Sequence, residues 1–367
     1  MSYLLSVSTA LPEHVVTQPD AAAFAMHHFG GKLAKHSQLM SIFTNTHIDK
    51  RHLVRPLEWF ASHKHSWQER NGIYAESAEM LGVCAAKKAL ESADLAPEQI
   101  DLVVFVSTTG LATPSIDSKL IGKLGLRPTT KRLPIWGLGC AGGVAGLARA
   151  AEYTRAFPDR IALLVAVEAC SITFQFGDFS KKNFVAAALF ADGAAAAVVA
   201  GSAVKRPVSL MPGSASDHQA SRSLQFIGSH SHLFPNSEHV MGWDVVDTGL
   251  SVIFAPEIPA RIARDLRPLV ADFLGEHALT PHDLAHYVMH PGGARVLESY
   301  QEAFDLPNGE LEHSTSVLRD YGNMSSPTVL FVLERVLASG AIKPGQWVLM
   351  GALGPGFSSE MALLRGV

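Results

Sequence analysis

The sequence predicts an α/β fold in which helices cover the faces of a sheet, and three observations predict it. Short β-branched, apolar runs recur at residues 102–106, 161–167, 194–199, 287–289 and 347–350, as in strands buried on both faces. Helical patterns at 75–93, 141–157, 259–274, 294–304 and 327–337 separate many of them, and that alternation reads as helices packed on sheets. With 367 residues, 47% of them hydrophobic, the chain can bury one large core or two adjoining ones.

Each element has its own reason. The 75–93 segment carries Cys84 in the middle of a helical pattern, where a small buried hydrophobe is the simplest reading of a cysteine. The 102–106 run, Leu-Val-Val-Phe-Val, suits a strand throughout. Residues 141–157 contain no proline, and Pro158 stops them. The first two turns of that helix bear no charged or polar side chain, whereas Arg149, Glu152, Tyr153 and Arg155 come later, so the helix should be buried at its start. Cys170 closes the strand at 161–167. The stretch 201–236, rich in Ser, Pro, Gly and His, is the candidate boundary between two halves, residues 1–205 and 206–367. In the second half the strand 287–289 runs into His290-Pro291-Gly292-Gly293 and a helix, much as a strand in the first half runs into Gly137-Leu138-Gly139-Cys140 and a helix. That parallel suggests a duplication. Ser326 and Pro327 form a helix start as N-cap and first-turn residue.

Composition excludes several function classes. The formal charge of −4 and the absence of a basic block argue against nucleic acid as a partner. Three cysteines, an odd number, do not make a disulfide framework, so a reducing cytoplasm is expected. The first residues lack the basic start and apolar stretch of a secretion signal, and no apolar run reaches membrane-spanning length.

The chemistry centres on Cys140, set among four glycines in Ile135-Trp136-Gly137-Leu138-Gly139-Cys140-Ala141-Gly142-Gly143. A helix N-terminus favours a thiolate, so a nucleophile on a strand-to-helix turn at the base of a cleft is one reading and packing is the other. His290 ends an apolar strand before Pro-Gly-Gly and is either structural or a base that pairs with the thiol. Asn323, in Tyr321-Gly322-Asn323-Met324-Ser325-Ser326-Pro327, is either a turn residue or an oxyanion donor. Gly137-Leu138-Gly139-Cys140-Ala141-Gly142 also fits the dinucleotide pattern GxGxxG, with Glu168 after the next strand as a ribose ligand. Against that stand Pro134 in the preceding strand, the distance from the N-terminus, and the three residues it leaves unexplained. His63 with His65 and His230 with His232 lack a third ligand at a recognisable spacing, so no metal site is expected.

From Ser6 to Glu360 the chain resembles the type III polyketide synthases, a thiolase-fold family that includes chalcone synthase. The residues that carry this are Ser107-Thr108-Thr109-Gly110-Leu111-Ala112-Thr113-Pro114-Ser115-Ile116-Asp117, the run from Lys131 to Gly143, Leu189-Phe190-Ala191-Asp192-Gly193-Ala194, His290-Pro291-Gly292-Gly293, Gly322-Asn323-Met324-Ser325-Ser326 and Gly354-Pro355-Gly356-Phe357. The first two look like the bacterial branch associated with alkylpyrones. The resemblance implies a thiolase-like fold of two similar βαβαβαββ halves in a five-layered αβαβα arrangement, and a homodimer. It implies an acyltransferase that extends a fatty acyl-CoA with malonyl-CoA on Cys140, with His290 and Asn323 completing a triad and no cofactor beyond the coenzyme A of the substrates. Phe190 matches an aromatic gatekeeper. Thr108, Thr109, Cys170, Thr173 and Ser325 match cavity positions, and Thr113 matches one that can reach across the dimer. The second gatekeeper falls on Val252, and Trp243 stands where plant members are small. The basic residues that hold coenzyme A phosphates in plant members fall here on Gln38, Ser41 and Asn45, which leaves Arg295, Lys50, Arg51 and Lys35 as candidates. Two rivals remain at this point: a ketoacyl-ACP synthase III performing one condensation, and a thiolase-fold protein that binds acyl-CoA without turnover.

Overall fold

The computed structural model describes residues 1–33, 40–61, 65–205 and 223–367. The first half opens with β1 (Ser2–Ala10) and β2 (His14–Thr17). Helices α1 (Gln18–Leu33) and α2 (Met40–Thr44), strand β3 (Lys50–Leu53) and helix α3 (Leu57–Phe60) precede the long α4 (Trp67–Ser92). Then follow β4 (Leu102–Val106), α5 (Ile116–Leu124), β5 (Lys131–Ile135), α6 (Gly142–Ala156), β6 (Ile161–Ala169), α7 (Lys181–Leu189) and β7 (Asp192–Gly201). The second half runs through β8 (Leu224–Leu233), the hairpin β9 (Met241–Val246) and β10 (Gly249–Phe254), and α8 (Ile258–Gly275). It ends with β11 (Leu284–Met289), α9 (Ala294–Phe304), α10 (Glu312–Tyr321), α11 (Thr328–Ser339), β12 (Trp347–Gly354) and β13 (Ser358–Gly366).

Among the described residues nine strands join in the order β11-β12-β13-β8-β1-β7-β6-β4-β5. The two sides repeat one pattern. β4 is parallel to β6, which is antiparallel to β7, which is antiparallel to β1. In the same sequence β11 is parallel to β12, β12 antiparallel to β13, and β13 antiparallel to β8. The sides touch where Ser2, Tyr3 and Leu4 of β1 face Phe226, Gln225 and Leu224 of β8. The duplication is real in topology, but its alignment differs from the sequence parallel. The strand before His290, β11, occupies the place of β4, whereas Cys140 follows β5. The counterpart of α6 is α11, so the Cys140 turn corresponds to the turn that carries Asn323. The stretch 201–236 runs from the end of β7 through residues 206–222, which lie outside the described ones, into β8, the first strand of the second half.

Side-chain alternation explains why the strands are apolar throughout. Val104 and Val106, Leu164 and Ala166, and Val348 and Met350 face a central core that they share with α6 and α11. Val103, Phe105, Leu163 and Val165 face α4 and α5 on one outer side, and Met289, Leu349 and Leu363 face α8 and α9 on the other. Helices, sheet, helices, sheet, helices give five layers, with the first turns of α6 and α11 buried between the sheets.

The central helices approach closely at Gly143, where an added Cβ would lie 2.3 Å from the Ser326 carbonyl oxygen and 2.8 Å from Val329. Helix propensity alone would favour Gly143→Ala by about 1 kcal/mol. Overpacking against a backbone atom opposes it by about 1–3 kcal/mol or more. A lowered thermal midpoint is therefore expected, and a raised one would mean that the helices can move apart.

Candidate active site

Cys140 lies in a short 3-10 turn, Gly139–Ala141, immediately before α6. Gly139 has φ 46°, and a Cβ there would come within 2.8 Å of the Pro355 ring, so both conformation and space call for glycine. Its N–H donates to the Thr108 hydroxyl at 3.1 Å. Cys140 is buried, as its apolar surroundings in the sequence implied.

His290 follows β11, its N–H donating to the Gly351 carbonyl at 2.8 Å; the ring is buried and neither nitrogen has a partner among the described residues. Asn323 is held by its own backbone, donating to the Leu189 carbonyl at 2.9 Å and accepting from Ala191 N–H at 2.8 Å. Its carboxamide is oriented by the Ser325 N–H, which donates to Oδ1 at 2.7 Å, while Nδ2 donates to the Gly292 carbonyl at 3.1 Å. The remaining amide hydrogen faces the Cys140 sulfur. Ser326 does not cap α11. Its hydroxyl donates to Glu168 at 2.9 Å.

The structure brings Cys140, His290, Asn323 and Ser325 to the wall of one cleft. Burial pushes the Cys140 thiol up to about 11, and the Glu168 charge adds to this, whereas hydrogen bonds from Ser325 and Asn323 act the other way. Burial pulls His290 down to about 3. The helix N-terminus alone therefore does not produce the expected thiolate. Taken singly, each group is neutral near pH 7, and a thiolate here would have to form together with an imidazolium, two opposite charges that attract more strongly in a low dielectric than in water.

A second cavity is lined by Cys170 and Thr173 together with Phe24, Phe43, Phe60 and Phe184. Phe190, Trp243 and Val252 belong to the walls of both cavities. The rings of Phe190 and Trp243 lie 5.9 Å apart, and Val252 faces Trp243 across the β9–β10 hairpin. Arg70 and Gln175 anchor that hairpin through the carbonyls of Thr248 and Leu250, at 2.6 and 2.9 Å.

Other sequence candidates lie elsewhere. Thr108 and Thr109 line neither cavity: their N–H groups donate to Glu168 at 2.9 and 3.0 Å, as does the Thr109 hydroxyl at 2.8 Å. Thr113 is exposed. Arg51 is buried in the wall of the second cavity, where its Nη1 donates to the carbonyls of Ala187 and Phe190 at 2.5 and 2.9 Å and its Nε has no partner among the described residues. Its burial lowers its pKa to about 10, opposed by Asp192. Lys50 and Arg295 are exposed, as are Ser41 and Asn45; Lys35, Gln38 and His63 lie outside the described residues. Cys84 is exposed on α4 instead of buried.

Glu168 is fully buried among five donor groups from Ser107, Thr108, Thr109 and Ser326, leaving no room for the ribose role. Burial raises it to about 7. Sequence reasoning missed its structural part, which ties the ends of β4 and β6 to the Asn323 turn. An acid at the end of an otherwise apolar run was the available signal. Asp192 has a similar part, accepting from Val54 N–H at 2.8 Å and Ser171 N–H at 2.7 Å beside the Phe190 segment.

The sequence model for the N-terminal domain of chalcone and stilbene synthases matches residues 1–203, and that for the C-terminal domain matches 225–367. A Bacillus subtilis protein named as a chalcone synthase is 40% identical over 99% of this chain and 98% of its own. The 1,3,6,8-tetrahydroxynaphthalene synthase of Streptomyces peucetius is 37% identical over 98% of this chain and 92% of its own. The crystal structure of the Streptomyces coelicolor tetrahydroxynaphthalene synthase, a bacterial type III polyketide synthase, superposes with a TM-score of 0.90 at 30% identity, covering 99% of each chain.

Proposed function

The chain belongs to the chalcone and stilbene synthase family, the type III polyketide synthases, and from that premise we propose that it condenses a fatty acyl-CoA starter with malonyl-CoA to give alkylpyrone-type products. The observation that carries this reading is the pair of cavities sharing Phe190, Trp243 and Val252. One has the thiol, imidazole and carboxamide in its wall. The other is lined mainly by apolar and aromatic side chains, suited to an alkyl chain.

In this reading His290 takes the Cys140 proton as sulfur attacks the starter thioester, and the coenzyme A thiolate leaves with that proton. The Asn323 amide and the imidazole N–H face the oxyanion. Malonyl-CoA then loses carbon dioxide, the enolate attacks the acyl-cysteine carbonyl, and the Cys140 thiolate leaves. The extended chain, now on coenzyme A, reloads onto Cys140 for the next round. Apolar walls that exclude water favour loss of the carboxylate.

The finer parts of the proposal have their own supports. Arg295 and Lys50, exposed cations, are its candidate phosphate contacts. Free cysteines accord with the cytoplasm, and no helix among the described residues is long and apolar enough to cross a membrane. A second copy would pack against the exposed Leu111, Thr113, Leu133 and Trp136 beside the edge strand β5.

Mass spectrometry of products from a graded acyl-CoA series with malonyl-CoA tests the reaction. Pyrones bearing the starter's alkyl chain, formed without carrier protein, are expected. Product from malonyl-CoA alone would overturn the fatty starter, and product only with acyl carrier protein would overturn iterative synthesis.

A further inference from the structure

Tyr300, on α9, has a fully buried side chain, and its hydroxyl has no hydrogen-bond partner among the described residues. Buried phenols ordinarily find one, because an unsatisfied hydroxyl is costly. The ring is held firmly, stacked on Phe304 at 6.3 Å and 9°, and Phe304 in turn stacks on Tyr287 at 5.7 Å. Tyr300 belongs to the wall of the Cys140 cleft, close enough to the sulfur for that charge to oppose ionisation of the phenol. Around it that wall is largely apolar, with Ile253, Phe254, Ile258, Val296 and Leu353. Phenylalanine would fill the same volume without burying a polar atom.

We propose that the Tyr300 hydroxyl is a specificity-determining contact that donates a hydrogen bond to a keto oxygen of the β-keto chain growing from Cys140. The starter's alkyl part carries no such oxygen, so the contact first forms after one extension. It then holds the chain for the next condensation and against early release. This inference rests on the polyketide reading above.

The test compares Tyr300→Phe with the parent protein. The variant should keep or raise the thermal midpoint, because the lost hydroxyl had no partner. It should still acquire the acyl adduct on Cys140 by intact mass, since the thiol and imidazole are unaltered. The ratio of products with two or more extensions to those with one should fall about tenfold, the worth of one buried hydrogen bond. A ratio within about twofold of the parent's overturns the contact, as does a lowered midpoint, which would reveal a structural partner. If the parent itself forms an adduct but no extended product, the polyketide reading fails, and this inference with it; that result is read on the parent alone.

Discussion

Cys140→Ala is expected to abolish acyl-adduct formation and to lower product formation by at least about 10³-fold, the scale on which removal of a covalent nucleophile acts. The other cysteines cannot replace it. Cys84 is exposed on α4, and Cys170 is held well above the ordinary thiol range by burial, with Glu168 and Asp192 adding to the effect. Cys170 also belongs to the other cavity, beyond Phe190 and Trp243. The substitution removes a single buried sulfur, and alanine suits a 3-10 turn, so the fold should persist. Intact-protein mass after incubation with acyl-CoA reads the adduct directly. An adduct on the Cys140→Ala protein would remove Cys140 as the acyl carrier.

His290→Ala is expected to slow product formation by about 10²–10⁴-fold, the usual contribution of a positioned base. Its second signature lies in pH dependence. With no imidazole to accept the proton, Cys140 is left with the pKa of about 11 that burial imposes. Below that value the thiolate fraction rises tenfold per pH unit, so iodoacetamide alkylation in the variant should climb log-linearly from pH 7 to 9. If His290 serves as the proton acceptor proposed above, alkylation of the parent protein at pH 7 should be at least about 10²-fold faster and flatter across that range. Equal profiles in the two proteins would mean that His290 does not share a proton with Cys140.

Both substitutions concern residues that could be named before any fold was known, because local sequence carries their signals. Glycines around a cysteine at a helix start, a histidine ending an apolar strand and an asparagine before Ser-Ser-Pro are properties of a few neighbouring residues. The same holds for α9 and β4, whose bounds at 294–304 and 102–106 follow from short-range pattern. Long-range relations were less legible. The sequence parallel paired β11 with the strand before Cys140, whereas sheet order pairs it with β4, since strand position depends on crossovers that no local pattern encodes. Arg51 illustrates the same limit: no local pattern shows that its guanidinium is buried and donates to two distant carbonyls.

By itself, then, the sequence determined the α/β class, the family resemblance and the identity of the three candidate catalytic side chains, because each rests on residue type and near spacing. Tertiary structure alone decided which charges are sequestered, which hydroxyls are spent on Glu168, and that the Tyr300 hydroxyl has no partner among the described residues. It also decided that thiol and imidazole, taken singly, are neutral. The physical reason is common to all of these: burial and hydrogen-bond satisfaction are set by what the rest of the chain brings to a group, and they shift its chemistry more than its immediate neighbours do.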